Sequence, residues 1–249
     1  MMERRRLRLD RLLVDRGLSI SRARARSLIL AGHVRCDGRS IGKPAAMVEH
    51  DAEIEITGQD NPWASRGGLK LVAALDHFSI DPTDARCLDI GASTGGFSDV
   101  LLSRGAGQIH AVDVGHGQLI DRIASDPRVV VLERTDARSL SADMVGCEFD
   151  IVVCDVSFIS IRKAIPTALG LARVGGRFVG LVKPQFEVGP GKVGSGGVVR
   201  DLALLDDILL ELETWFEGLS SWRYDGVIVS PVTGGDGNRE FLLSGTKTC

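Results

Sequence analysis

Cys87-Leu-Asp-Ile-Gly91-Ala-Ser-Thr-Gly95-Gly96-Phe-Ser-Asp99 is the stretch whose reading decides the fold. Its opening is apolar apart from Asp89 and has the length of a short buried strand, and the glycines that follow permit a tight turn before a helical pattern begins. A strand that runs through a glycine-rich turn into a helix aims backbone N–H groups at the anionic part of a ligand. The same alternation extends to both sides. Upstream, Gly68 to Phe78 carries Leu69, Val72, Ala73 and Leu75 at helical spacing. Downstream, strands are expected at Gln108–Val114, Val129–Glu133, Asp150–Val156 and Arg177–Val182, with helices near 97–104, 117–124, 161–173 and 201–217. Strands separated by helices predict an α/β body, a parallel, doubly wound sheet of Rossmann-like type. The end of the chain differs: Asp225–Ser230 and Arg239–Ser244 flank the glycine-rich Thr233-Gly-Gly-Asp-Gly-Asn238, which reads as a hairpin and makes the last strand antiparallel.

The 249 residues carry 44% hydrophobic and 25% charged residues, an ordinary globular composition for one or two domains. Five cysteines, an odd number without a C-x-x-C pair, indicate neither a disulfide framework nor a zinc site, so no metal is expected. No apolar run is long enough for a transmembrane helix, and the N-terminus lacks the apolar core of a signal peptide, so a cytoplasmic protein is the simplest expectation. The net charge of −3 by itself argues against a nucleic-acid partner. Its distribution reverses that argument: residues 1–43 hold 12 Lys and Arg against 4 Asp and Glu, a local charge of +8 that leaves −11 on the rest. A basic end on an acidic body suggests a small module that meets a polyanion, attached to a part with another task.

Within that basic end, Leu9, Leu12 and Leu13 recur at helical spacing up to Gly17, and a second helix is expected from the N-cap candidate Ser21 to Gly32. His33 to Arg39 reads as a strand into an Asp37-Gly38 turn, and Ala52–Ile56 as a later strand. The result is a small α+β domain over residues 1–60, followed by a linker at 61–67 that contains Pro62, and a body at 68–249. Leu9-Asp10-x-Leu12-Leu13, Gly17, Ser21-Arg22-x-x-Ala25, Leu28-Ile29-x-x-Gly32-x-Val34 and Asp37-Gly38 together resemble the alpha-L RNA-binding motif of a small-subunit ribosomal protein and many RNA-modifying enzymes. The resemblance implies that Arg4, Arg5, Arg6, Arg22 and Arg26 meet RNA phosphates, contacts that position a protein without reading sequence.

In the body, the cofactor-facing candidates are Asp89, Gly91, Ala92, Ser93, Gly95, Gly96 and Phe97 of the opening stretch, with Asp113, Asp136 and Asp155. Asp113 closes the second strand 22 residues beyond Gly91, where a carboxylate can accept both hydroxyls of a ribose. That much suits a nicotinamide dehydrogenase nearly as well as a methyltransferase. Asp89 at the strand end, Asp136 after the third strand and the closing antiparallel hairpin favour S-adenosylmethionine, whose amino and sulfonium groups are cationic.

Lys70, Asp155, Lys183 and Glu240 occupy positions that core packing would not choose, and strand-end topology places Asp155 and Lys183 at the ligand edge. The set resembles the Lys-Asp-Lys-Glu tetrad of FtsJ-type ribose 2′-O-methyltransferases. Ser65-Arg66-Gly67-Gly68-Leu69-Lys70, Asp89 to Phe97, Glu133-Arg-Thr-Asp-Ala-Arg138, Asp155-Val-Ser-Phe-Ile-Ser160, Lys183-Pro-Gln-Phe-Glu187 and Gly237-Asn-Arg-Glu-Phe241 are similar to the TlyA family over nearly the whole chain. That resemblance implies an rRNA cytidine 2′-O-methyltransferase whose partner is ribosomal RNA or a ribosomal subunit, and the family also carries the historical name hemolysin. His116 departs from it, standing where several relatives are expected to have Tyr.

A ribose hydroxyl needs a base, or at least an oriented lone pair, to attack a methyl group in line. Lys183 is the candidate for that task, Lys70 for steering ribose or phosphate, and Asp155 and Glu240 for orienting the two lysines. Gly189 to Gly197, with five glycines in nine residues, is either a plain connector or a lid that brings Lys192 to RNA phosphate. Arg66 stands where RNA engagement could be passed to the body. Two other readings compete: a membrane-active hemolysin, and a non-catalytic RNA-binding protein of ribosome assembly. The first lacks a long apolar span, since Leu202, Leu205, Leu209, Leu212 and Phe216 keep ordinary core spacing. The second is opposed by the complete tetrad.

Overall fold

The computed structural model describes residues 6–19, 21–30, 32–57, 61–189, 193–235 and 237–249. Arg4, Arg5 and Lys192 therefore lie outside the described residues. The chain divides into two compact units, residues 1–60 and 61–249.

The first unit contains β1 (Arg6–Arg8), α1 (Leu9–Asp15), α2 (Arg22–Leu30), β2 (Val34–Cys36), β3 (Arg39–Ser40), β4 (Met47–Glu49) and β5 (Ile54–Ile56). Leu9, Leu12 and Leu13 of α1 meet Ala25 and Ile29 of α2 in a fully buried core, as their helical spacing requires. Asp37 and Gly38 both have positive φ, 48° and 76°, so two residues turn β2 into β3 with the twist a tight hairpin needs. The antiparallel pair β1–β4 is not apparent in the sequence, because three residues per strand are too few to show alternation. One carboxylate organises the unit: Asp10 is buried in the first turn of α1 and accepts from Arg8 Nε at 3.0 Å and Nη2 at 2.8 Å, and from Arg22 Nη2 at 3.3 Å. Hydrogen bonding from Arg8 outweighs the penalty of burial and holds its carboxyl down at about 2.

The second unit contains α3 (Gly67–His77), β6 (Arg86–Ile90), α4 (Gly96–Ser103), β7 (Gln108–Val112), α5 (Asp121–Ala124), β8 (Val129–Leu132), α6 (Ala142–Val145) and β9 (Phe149–Cys154). It continues through α7 (Ile161–Ala164), α8 (Pro166–Gly170), β10 (Ala172–Val182), α9 (Pro184–Glu187), α10 (Leu202–Glu217), β11 (Trp222–Val229) and β12 (Phe241–Lys247). The sheet order is β11-β12-β10-β9-β6-β7-β8, with β10 to β8 parallel and β12 antiparallel to both neighbours. Side chains alternate between two apolar layers: Leu88, Ile90, Val152, Phe178 and Leu243 face one, Cys87, Ile151, Val153, Val179 and Leu242 the other. Strand order reverses beside β6, whose chain neighbour β7 lies on one side and β9 on the other. A crevice at the carboxyl ends of β6 and β9 is the consequence.

Three expected elements differ, and of the helix expected near 117–124 only Asp121–Ala124 is helical. The helix expected at 161–173 is broken at Pro166 into α7 and α8, because proline cannot donate into a continuing helix. The strand expected at Arg177 already begins at Ala172, and a register shift against β9 lies between Ala172 and Arg177. Residues 61–67, expected to be a linker, belong to the second unit, Gly67 already opening α3: Ala64 N–H donates to Asp99 Oδ2 at 2.7 Å, and a side chain at Gly68 would collide with Trp63.

His110 of β7 is buried edge-on against Phe149, their centroids 5.1 Å apart, and burial lowers its pKa. The folded state therefore takes up a proton less readily than the unfolded chain, and the stability this residue contributes is lost as pH falls below the unfolded value of about 6.5. Thermal melts at pH 7.5 and 5.5 should show wild type losing up to about 1 kcal/mol more than His110→Leu on acidification. Equal losses would remove His110 as a source of acid sensitivity.

Candidate active site

The registers at the crevice explain how distant residues meet. Ile90 pairs with Cys154, so the next residues, Gly91 and Asp155, leave the sheet side by side, and Asp155 N–H donates to Ile90 O at 2.9 Å. Val182 pairs with Phe241 across an antiparallel ladder, which puts Lys183 after one strand and Glu240 before the other at the same edge. On α3, a side chain at Gly67 would come within 3.4 Å of Asp155 Oδ2, so the first turn of that helix abuts Asp155. Lys70 follows three residues later and pairs with the Glu240 carboxylate. Both are buried, at 7% and 3% exposure, so each charge depends on the other. Lys183 Nζ lies 2.6 Å from Asp155 Oδ1 and donates to Ser157 Oγ at 2.8 Å. The four residues expected as a set thus form two ion pairs.

Two adjoining cavities open here. The smaller, about 160 Å³, is lined by Ser65, Ala92, Gly96, Phe97 and Lys183; the larger, about 650 Å³, by Asp113, Val114, Asp136, Phe158 and their neighbours. Gly91, Ser93, Asp155 and Ser157 line both. The larger falls within the roughly 300–1,000 Å³ usual for small-molecule sites. The glycines of the turn have a use beyond the tight turn expected of them. The space beside Gly91 is taken by Asp155 O, that beside Gly95 by Ile123 and Leu119, and that beside Gly96 by Ser65, so they allow protein segments to pack closely. Gly91 and Gly95 also need positive φ, 81° and 97°.

Asp113 holds the turn from the other side, accepting from Ser93 N–H at 2.8 Å and Gly115 N–H at 2.7 Å. Asp136 faces the larger cavity but is engaged by Arg138, whose side chain holds its carboxyl down at about 2. Asp89 lines neither cavity: it is fully buried behind the turn, where Ser98 Oγ donates to Oδ2 at 2.6 Å and Oδ1 has no hydrogen-bond partner. Burial pushes its carboxyl up to about 7, with Asp155 and Asp113 adding to the rise. His116 Nδ1 lies 2.7 Å from Glu133 Oε2, closing the loop beside the larger cavity.

Sequence reasoning missed Ser65, Ser157 and Phe158. Phe158 is 91% exposed at the larger cavity with φ of +66°, a conformation a bulky residue adopts only when its surroundings impose it. Ser157 and Phe158 stand in the quoted Asp155-Val-Ser-Phe-Ile-Ser160 run, so an aromatic directly after the strand-end acid was the available signal.

The basic candidates are dispersed. Arg6 Nη2 donates to Met47 O at 3.1 Å, Arg22 pairs with Asp10, and Arg26 is exposed on α2. Arg66 is exposed at the start of α3 and belongs to the second unit.

A doubly wound sheet with a terminal antiparallel strand, a glycine turn at the switch point and a Lys-Asp-Lys-Glu set at its edge define a Rossmann-type methyltransferase. Residues 63–247 match the FtsJ-like methyltransferase family and residues 7–54 the S4 domain. The chain is 48% identical over 240 residues to the 16S/23S rRNA (cytidine-2′-O)-methyltransferase TlyA of Mycobacterium tuberculosis, covering 96% of this chain and 89% of that protein. It is 37% identical to Hemolysin A of Brachyspira hyodysenteriae, covering 95% and 98%. A solved structure of a hemolysin-named protein from Streptococcus thermophilus superposes with a TM-score of 0.77 at 35% identity, covering 99% and 90%. The chain belongs to the TlyA family of FtsJ-like methyltransferases, with an S4 RNA-binding domain at its N-terminus.

A Cβ at Gly234 would stand 2.5 Å from Glu240 Oε1, whereas nothing lies within 4 Å of one at Gly235. Gly234→Ala should destabilise the protein by about 1–3 kcal/mol through overpacking against the Lys70–Glu240 pair. Gly235→Ala should stay within about 0.5 kcal/mol of wild type in the same denaturant melts.

Proposed function

We propose that the chain transfers the methyl group of S-adenosylmethionine to the 2′-hydroxyl of a cytidine in ribosomal RNA. The observation that carries this reading is the Lys183 amine, which lines the smaller cavity and is held by Asp155 and Ser157 of the wall that the two cavities share. When bound, S-adenosylmethionine supplies a methyl group on a cationic sulfonium. The residues present suit it: Asp113 and Asp136 at the larger cavity can accept from ribose and adenine, Val114 and Ala137 offer apolar contact, and the buried Asp89 adds negative potential behind the glycine turn.

Lys183 has three donor directions, of which Ser157 takes one and Asp155 faces another. The remainder of its amine is free to orient the ribose hydroxyl and, when neutral, to take its proton as the new bond forms. Lys70, buried against Glu240 and outside the lining of both cavities, holds the same edge through that ion pair rather than meeting the substrate's phosphate or ribose directly. Phe158 offers an exposed ring on which the target base can stack once it leaves its helix, a contact typical of enzymes that act on unstacked nucleotides. The S4 domain carries the basic charge that binds rRNA or a ribosomal subunit through phosphates, with Arg26 as an exposed contact, and Arg66 of the second unit offers another. Arg22, paired with Asp10, contributes its outer edge alone.

Among the described residues no helix is long and apolar enough to cross a membrane, which gives no support to an inserting hemolysin. An rRNA modifier works where ribosomes are assembled, and a cytoplasmic location is proposed with it.

Purified protein with ribosomal subunits or rRNA should incorporate labelled methyl groups, and ribose-methylation mapping should locate them on a cytidine. Lys183→Ala should lower methyl transfer by about 10²–10⁴-fold with cofactor affinity within threefold of wild type. Full activity in that variant would remove Lys183 from the reaction.

A cation bound near the turn should also draw the proton from Asp89, whose carboxyl sits at about 7. Calorimetry at pH 7 in buffers of different ionisation enthalpy should detect proton release on binding S-adenosylmethionine, less with the product S-adenosylhomocysteine, which lacks the sulfonium charge, and none from this source in Asp89→Asn. Identical release for both ligands would contradict that electrostatic link.

A further inference from the structure

Glu187, at the end of α9, plays no part in the reaction outlined above, yet its carboxylate is 2% exposed. A buried charge persists only where its lone pairs are used. One oxygen, Oε1, accepts the backbone N–H of Ile161 at 2.7 Å, and the other accepts from Ser160 Oγ at 2.7 Å, with Arg162 Nε 3.6 Å away. These partners stand where the loop that follows β9 ends, at Ser160, and in the first turn of α7, at Ile161 and Arg162. That loop begins at Asp155, continues through Ser157 and Phe158, and enters α7 at Ile161. Glu187 itself lies four residues beyond Lys183, with Phe186 between them packed against Phe158 at 5.3 Å between centroids. Two segments that leave the sheet from separate strands, one carrying Lys183 and one carrying its partners Asp155 and Ser157, are thus tied at a single carboxylate.

The tie has a mechanical purpose. Phe158 is held at a φ of +66° while almost all its surface is in water, so burial of its own ring does not compensate the strain of that conformation. Anchorage must come from its neighbours in the chain. Ser160 and Ile161 are fixed by Glu187 on one side, and Ser157 by Lys183 on the other. We propose that Glu187 is a positioning residue that holds the Ser157–Ser160 turn rigid, so that Phe158 presents its ring to the substrate nucleoside at a set distance from the Lys183 amine. The inference rests on the methyl-transfer reading of the site.

Glu187→Ala should lower kcat for rRNA methylation by about 10- to 100-fold, the cost of slight misplacement at a reacting centre, while KM for RNA and cofactor affinity stay within threefold of wild type. Glu187→Gln, which keeps an acceptor for Ile161 N–H, should recover a large part of that loss. Because Glu187 acts through the aromatic residue, Glu187→Ala added to Phe158→Ala should slow the reaction less than twofold further. Hydrogen exchange of the full chain gives a reading independent of catalysis: Glu187→Ala should speed exchange across 157–162 and leave β6 and β7 protected. Wild-type activity in Glu187→Ala, additive losses in the double variant, or unchanged exchange at 157–162 would each overturn the inference. If wild type methylates no RNA, the proposed reaction fails, and the exchange measurement alone decides whether Glu187 orders the turn.

Discussion

The backbone carbonyl of Asp155 occupies the place where a side chain at residue 91 would have to be, 2.5 Å from the position of such a Cβ. That contact, loop against loop with no side chain between, sets the dimensions of everything around it. It lets β6 and β9 run in register to their last residues, so that the glycine turn and the strand-end acid emerge together. With the two loops touching, the wall they share becomes the common boundary of both cavities, and Lys183 reaches Asp155 from the adjacent strand. A larger residue at position 91 would push Asp155 outward and carry its partner with it.

Charge is arranged around this contact in layers. Closest to it are paired ions, Lys183 with Asp155 and Lys70 with Glu240, whose mutual neutralisation lets them stay near or beneath the surface. Behind them Asp89 is a carboxyl whose burial without a full set of partners makes its charge costly. The S4 domain uses the opposite balance: Asp10 is deeply buried but strongly held as a carboxylate by Arg8, because two guanidiniums reach it. Burial and pairing pull in opposite directions, and the number of cations within reach decides which wins at each acid.

Much of this was legible in the residues. The apolar runs of β6, β9 and β10 between helices, the glycine turn and the final hairpin follow from residue type and from conformations that only certain residues adopt, and they suffice for a doubly wound sheet. Lys183 and Asp155 could be placed at one edge by topology. What could not be read was set by partners remote in the chain. Nothing local marks Lys70 as the counter-ion of Glu240, since the two meet only after β12 has paired with β10. Asp89 has the same strand-end position as an acid that faces a ligand, but Ser98 on α4 draws its carboxylate to the other side of the turn. Arg22 resembles a phosphate contact in sequence, yet its guanidinium also completes the pairing of Asp10. The glycines were legible as a tight turn but not as packing sites, because the atoms that exclude a side chain there come from Ser65, Ile123 and Asp155.

β12 is wedged between β10 and β11, so a strand that follows both in the chain ends up inside the sheet. During synthesis, Lys70 emerges from the ribosome 170 residues before its counter-ion. Until β12 inserts, the lysine must remain in water and β10 must keep an unpaired edge. The site is therefore completed by the same event that closes the sheet. A nascent chain that has made the glycine turn, Asp155 and Lys183 still lacks the charge that allows Lys70 to be buried, and chemical competence arrives together with structural completion.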